Sequence, residues 1–227
     1  MKKPKLFIVI PAYNEEKSVG NVIDELKKSG YHNIIVVDDG SKDKTSMVAE
    51  SKKDVILLKH VINRGLGGAL GTGLEAAYLH GADVAVTFDA DGQHCVSDIP
   101  KMIQPIIRGK ADVVIGSRMI NHKGMPLVRV LGNWGLNFIT WILFGVWTTD
   151  SQSGMRAFNK KALYRIETKT SRMEVSSEFF KEIHRHELKF SEVPIKVIYT
   201  EYSLAKGQSS LNAIKIVVKL IFRKLMG

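Results

Sequence analysis

The stretch D-V-A-V-T-F-D-A-D-G-Q-H, residues 83–94, decides how this chain is read. A run of small and β-branched apolar residues breaks off into two aspartates one residue apart, Asp89 and Asp91. A continuous apolar run of this length bounded by turn residues is a buried strand, and the acids stand where it ends. Two readings of the acids stay open at this point. Either they hold a hard cation, the small Ala90 and Gly92 allowing the backbone to bend both carboxylates toward it, or they are acidic turn residues.

Outward from this strand, apolar runs alternate with helical patterns. Residues 5–11, 33–39, 55–60, 83–90 and 111–117 read as strands. Between them, 15–30, 42–53, 66–81 and about 97–107 read as helices, the first carrying Val19, Val22, Ile23 and Leu26 on one face. Strands of unbroken apolar character separated by helices predict an α/β fold, a mostly parallel sheet with both faces covered. Ligands of such sheets bind beyond the carboxyl ends of the strands. Those ends read Pro11-Ala12-Tyr13-Asn14-Glu15, Asp38-Asp39-Gly40-Ser41, Asn63-Arg64-Gly65, Asp89-Ala90-Asp91 and Gly116-Ser117-Arg118. Turn chemistry explains any one of these clusters; a single site explains five on one edge.

The 227 residues suffice for one large domain, with 44% hydrophobic and 25% charged residues. The lone Cys95 excludes an internal disulfide and suits a reducing compartment. The N-terminal apolar run meets Pro11 and two glutamates with no cleavage site, so it reads as a first strand rather than a signal peptide, and the expected location is cytoplasmic. A formal charge of +10 points to an anionic partner or surface. No nucleic-acid-binding motif appears, which argues against nucleic acid.

Residues 130–149 carry no charge, yet Asn133, Asn137 and three glycines interrupt them, and the most apolar part is ten residues. This predicts a helix at a membrane interface or in the core, not a span. Residues 150–163 read as loop, strand and short helix, 176–187 as helix and 190–202 as a final strand. The tail, 211–227, sets Ile214, Val217, Val218, Ile221 and Leu225 at helical spacing among lysines and arginines. It reads as a basic amphipathic helix for a membrane surface or as a terminal helix docked on the core.

A D-x-D pair at a strand end of a nucleotide-binding sheet can clamp a metal and a diphosphate. Gly71-Thr72-Gly73-Leu74-Glu75-Ala76 imitates a dinucleotide fingerprint, but it lies inside a helical stretch rather than in the first strand-to-helix turn. A dinucleotide-dependent oxidoreductase is set aside on that ground. The acids of the first turn likewise argue against a nucleotidyltransferase. His94 reads as a phosphate contact or a turn histidine, and His184 and His186 fall on different faces of one helix.

The motifs I-V-I-P-A-Y-N-E-E, V-V-D-D-G-S-K-D-K-T, N-R-G-L-G-G-A-L-G-T-G-L-E-A-A, F-D-A-D-G-Q-H, V-I-G-S-R and D-S-Q-S-G-M-R-A-F together resemble the family 2 inverting glycosyltransferases of GT-A (Rossmann-like) fold. Within them the chain most resembles the polyprenyl-phosphate sugar synthases of the dolichol-phosphate mannose synthase type. The likeness runs from residue 5 to about 210. It implies one catalytic domain over 1–210, a nucleotide-binding half at 1–118 and an acceptor half at 119–210, followed by the membrane-surface tail.

Carried over, the resemblance implies that Pro11, Tyr13, Glu15 and Asp39 line the nucleoside pocket of a UDP- or GDP-sugar donor, with Asp89 beside it. Asp89 and Asp91, with Gln93 nearby, border Mg²⁺ or Mn²⁺. Arg118 and Arg129 meet the phosphate of a polyprenyl-phosphate acceptor at the inner face of the plasma membrane. Asp150 lies close to the reacting sugar, orienting it, or serving as base if the acceptor is a saccharide hydroxyl. Leu204 stands where the family usually has an arginine, and Lys206 is the candidate replacement, although a lysine lacks the bidentate fork. The variant resembles short bacterial members of surface-polysaccharide synthesis, which implies a small membrane protein as partner and leaves a homo-oligomer open.

Overall fold

The computed structural model describes residues 4–121, 125, 127–166, 175–196 and 198. Seven strands form one sheet: β1 (Leu6–Ala12), β2 (Ile34–Asp38), β3 (Val55–Lys59), β4 (Val84–Thr87), β5 (Val113–Ser117), β6 (Arg156–Asn159) and β7 (Phe190–Pro194). Their order is β3-β2-β1-β4-β6-β5-β7. Every neighbouring pair is parallel except those that β6 makes with β4 and β5. The mostly parallel sheet expected from the apolar runs is present.

Among the described residues seven helices cover the sheet: α1 (Val19–Lys28), α2 (Thr45–Glu50), α3 (Gly65–Leu79), α4 (Ile99–Ile107), α5 (Leu127–Phe144), α6 (Lys160–Arg165) and α7 (Val175–Arg185). The period-2 alternation of β1 divides the core in two. Ile8, Ile10 and Ala12 pack with Val19, Val22, Ile23 and Leu26 of α1 and with Ile99 and Met102 of α4. Phe7 and Val9 face Ala69, Leu70 and Leu74 of α3, in a cluster that also takes in Phe179, Phe180 and Ile183 of α7. Burial of each large apolar side chain contributes roughly 1.5–3 kcal/mol, so this double core is what fixes the strand ends in space.

Gly73 explains the false fingerprint. A Cβ there would stand 2.3 Å from Val9 Cγ1 and 3.1 Å from Val37 Cγ2, so the glycine lets α3 lie close on β1 and β2. Helix α1 begins at Val19 rather than at residue 15. Its expected first turn is spent on a clasp: the backbone N–H groups of Asn14, Glu15 and Glu16 donate to Ser41 Oγ, Thr45 Oγ1 and Asp43 Oδ2. The final strand ends at Pro194; residues 197 and 199–202 of the expected strand, and the tail at 211–227, lie outside the described residues.

Candidate active site

Parallel strands all deliver their carboxyl ends to one edge. Ala12 pairs with Asp38 across β1 and β2, and Val9 with Thr87 across β1 and β4, so the turns after β1, β2 and β4 lie side by side. Ser117, at the end of β5, is followed by Arg118. The antiparallel β6 then does something the parallel strands cannot: its beginning lies at this edge. Arg156 pairs with both Thr87 and Ile115, which brings the preceding segment, 150–155, between the acid pair and Arg118.

That segment is tied on every side. Thr87 Oγ1 donates to the Gly154 carbonyl at 2.7 Å and accepts from Arg156 N–H at 3.0 Å. Gly116 N–H donates to the Met155 carbonyl. Asn137, wholly buried in α5, donates to the Thr149 carbonyl and accepts from Ser151 N–H. Glu192 of β7 accepts from Thr148 Oγ1 and Thr149 N–H. The polar residue that interrupts the charge-free helix is therefore a fastening for this loop.

The loop carries Asp150, which has no exposed surface. Its Oδ2 accepts from Arg118 Nε at 2.7 Å and from Arg118 N–H at 2.9 Å, while Oδ1 accepts from Arg118 Nη2 at 2.7 Å. This is a bidentate fork, the strongest form of charge-assisted hydrogen bond between side chains. It orients a guanidinium that is itself about a quarter exposed.

Asp89 and Asp91 lie just past β4. Gly154 presses so closely on Asp89 that a Cβ at 154 would stand 2.4 Å from Oδ2. His94 is buried, with Nε2 2.9 Å from Asp89 Oδ2, and neither ring nitrogen makes a well-aligned hydrogen bond among the described residues. Burial pushes the Asp89 carboxyl up, but the His94 imidazole and the Arg118 and Arg156 guanidinia outweigh it and hold Asp89 below the ordinary range. Asp91 goes the other way, raised by burial and by the charge of Asp89. Gln93 donates from its backbone N–H and its side-chain amide to Asp91, at 3.0 and 2.5 Å.

A carboxylate pair in which one member strains against the charge of the other is a donor set suited to a dication. Among the described residues no three His, Cys, Asp or Glu side chains gather into a complete metal cage. Mg²⁺ and Mn²⁺ sites of this kind are completed by substrate oxygens, so Asp89, Asp91 and the Gln93 amide fit such an ion.

Of the residues assigned to the nucleoside pocket, Pro11 is buried and Tyr13 is exposed beside it. Glu15 accepts from Ser18 Oγ. Asp39 is buried and accepts from His60 Nδ1 at 2.7 Å and from the backbone N–H groups of Arg64 and Gly65, so it anchors the start of α3. The described side chains do not include Arg129, and Lys206 lies outside the described residues. Gly154, Arg156, Asn137 and Ser153, whose buried hydroxyl has no hydrogen-bond partner among the described residues, are not among the expected site residues. The arginine was the visible signal, a charge inside an apolar strand at M-R-A-F.

The sequence matches the profile of glycosyl transferase family 2 over residues 7–167, and the chain belongs to that family. It is 47% identical to the UDP-N-acetylglucosamine–dolichyl-phosphate N-acetylglucosaminyltransferase of Methanococcus voltae, covering 97% of this chain and 96% of that one. It is 32% identical to the undecaprenyl-phosphate mannosyltransferase of Micrococcus luteus over 72% of this chain and 70% of the relative. An uncharacterized protein of Methanocaldococcus jannaschii is 50% identical over 99% of this chain and 94% of its own. The fold is GT-A: glucosyl-3-phosphoglycerate synthase of Mycobacterium tuberculosis, solved with Mn²⁺ and UDP-glucose, superposes with a TM-score of 0.70 at 19% identity, covering 96% of this chain and 77% of that one.

Proposed function

We propose that this glycosyltransferase moves N-acetylglucosamine from UDP-N-acetylglucosamine to a polyprenyl phosphate, with inversion, at the cytoplasmic face of the membrane. The observation that carries the reading is the meeting of Asp89 and Asp91 with the Arg118–Asp150 fork at one sheet edge, an acid pair for the donor beside an arginine for an anionic acceptor. The choice of sugar and nucleotide rests on the relative from M. voltae.

A phosphate monoester oxygen is an anion at neutral pH and needs little help from a base. Arg118 neutralises and orients it, and Asp150 fixes the plane of that guanidinium. Because both oxygens of Asp150 already accept from Arg118, its geometry supports an orienting role more than proton abstraction. The nucleoside pocket is formed by Pro11, Tyr13, Glu15 and Asp39. Mg²⁺ or Mn²⁺, held by Asp89, Asp91 and Gln93, would offset charge on the departing diphosphate.

The membrane side of the reading is supported by α5. No described helix is long and apolar enough to cross a membrane. Yet Leu131, Trp134, Phe138, Trp141 and Ile142 share an exposed face, and Trp147 touches the rings of Trp134 and Trp141. Tryptophans in such a setting favour the headgroup region. Asn137 of the same helix fastens the acceptor loop, so a lipid surface docked on this face would lie near that loop. The 211–227 tail would add a second, basic contact.

The test is transfer of label from UDP-N-acetylglucosamine or GDP-mannose, with Mn²⁺ or Mg²⁺, to dolichyl or undecaprenyl phosphate. Label from the uridine donor in a mild-acid-labile lipid is the expected result. Label only in water-soluble saccharide would overturn the acceptor assignment, and transfer from GDP-mannose alone would overturn the donor.

A further inference from the structure

Arg156 is a charged residue where packing alone would favour methionine or leucine. It opens the central β6, paired with Thr87 on one side and Ile115 on the other, and is 3% exposed. Its guanidinium carbon lies 4.5 Å from the centre of the buried Phe179 ring on α7, and Nη2 reaches the Ser151 carbonyl at 3.4 Å. Taking a guanidinium out of water is costly, and a site that retains one generally uses its field. The Ser151 carbonyl that Arg156 reaches is next in the chain to Asp150, and Thr87, its partner in the sheet, stands two residues before Asp89, so its field falls on two acids. Burial lowers the Arg156 pKa to about 10, Asp150 and Asp89 act to raise it, and Arg118 acts to lower it. It therefore stays cationic at neutral pH.

We propose that Arg156 is a positioning residue for the transfer, a fixed cation beneath the edge that balances Asp89 and Asp150 and so leaves Arg118 to the acceptor's anion. The second half rests on the acceptor assignment above; the first half does not. An arginine forked on Asp150 could be held too tightly by that carboxylate to engage a phosphate as well. A second guanidinium, held on the carbonyl of the next residue, Ser151, shares the carboxylate's charge and loosens that hold. Phe179 shields the cation from water, and its ring face favours positive charge.

The same cation opposes a dication at Asp89. Replacing it by a neutral side chain should make the acid pair a stronger metal ligand while making the enzyme a poorer catalyst. A purely structural role for Arg156 would weaken both.

The experiment compares Arg156→Met, Arg156→Gln and Arg156→Lys with the parent. Mn²⁺ binding without nucleotide is read by electron paramagnetic resonance, with KM for polyprenyl phosphate and kcat read separately. In Arg156→Met and Arg156→Gln, Mn²⁺ affinity is expected to rise about tenfold, the order expected for one charge opposing a dication at reduced dielectric. The acceptor KM should rise about tenfold as Arg118 stays on Asp150. Arg156→Lys should restore both toward parental values. Should Arg156→Met fail to fold, Arg156→Gln is read alone. Unchanged Mn²⁺ affinity in a folded neutral variant, or a lysine variant no better than the glutamine one, would overturn the proposal. The metal measurement needs no acceptor, so an absence of lipid product in the parent would refute the acceptor reading and leave the charge of Arg156 still on trial.

Discussion

Replacing Gly154 with alanine should separate function from stability. The new methyl would stand 2.4 Å from Asp89 Oδ2 and 2.7 Å from Oδ1, and real Cβ contacts do not fall below about 3.0 Å, so the carboxylate must retreat by at least about 0.6 Å. Gly154 has no positive φ, so the backbone tolerates alanine without strain. The obstacle is the end of a flexible side chain, which can rotate away cheaply, and the change in stability should stay below about 1 kcal/mol, or about 3 °C in Tm. What moves, however, is the acid assigned to the metal and its contact with His94. Displacements approaching 1 Å at a reacting centre cost up to about 100-fold, so kcat/KM is expected to fall by about 30- to 100-fold, with weaker Mn²⁺ binding. Gly73→Ala is the counterpart: its methyl meets Val9 at 2.3 Å inside the core, and overpacking of that kind costs about 1–3 kcal/mol. Thermal melts, Mn²⁺ titration and turnover, measured on both variants, decide the matter. A folded Gly154→Ala enzyme with parental turnover and Mn²⁺ affinity would refute the reasoning, as would a melting loss equal to that of Gly73→Ala.

Metal binding should also depend on pH in a particular window. Asp91 is raised from 3.8 by burial and by Asp89, and a cation binds its ionised form, so Mn²⁺ affinity should be full above that raised value and decline on acidification while the pH is still above 3.8; titrations from pH 7.5 to about 4.5 would show it. Asp150→Asn removes the carboxylate on which Arg118 is forked, and breaking a buried pair of this kind costs about 3 kcal/mol, so a lower denaturation midpoint is expected in a chemical melt. Deleting residues 211–227 should weaken pelleting with anionic liposomes while nucleotide affinity stays within about twofold; unchanged pelleting would return the tail to a docked helix.

Much of this site could be read before any coordinates because parallel strands share a direction. Once 5–11, 33–39, 83–90 and 111–117 are strands of such a sheet, Pro11, Asp39, Asp89 and Arg118 must gather at one edge. The placement of Asp150 follows from β6, and a four-residue strand announces neither its neighbours nor its direction. The start of α1 at Val19 is not legible because helical spacing cannot reveal that the amides of residues 14–16 are taken by side chains of the next turn. Gly154 and Arg156 gain their meaning only from what stands across from them, the Asp89 carboxylate and the Phe179 ring.

The insertion of β6 between β4 and β5 also bears on how the chain can fold. Strands β4 and β5 follow one another in the sequence, yet they are not paired with each other; the slot between them is filled by residues 156–159. A nascent chain ending near Arg118 would expose two open strand edges at once, an invitation to mispairing. The strand that joins β4 to β5 is also the one that carries the 150–155 loop to the acid pair, so the pairing of β6 and the assembly of this edge coincide.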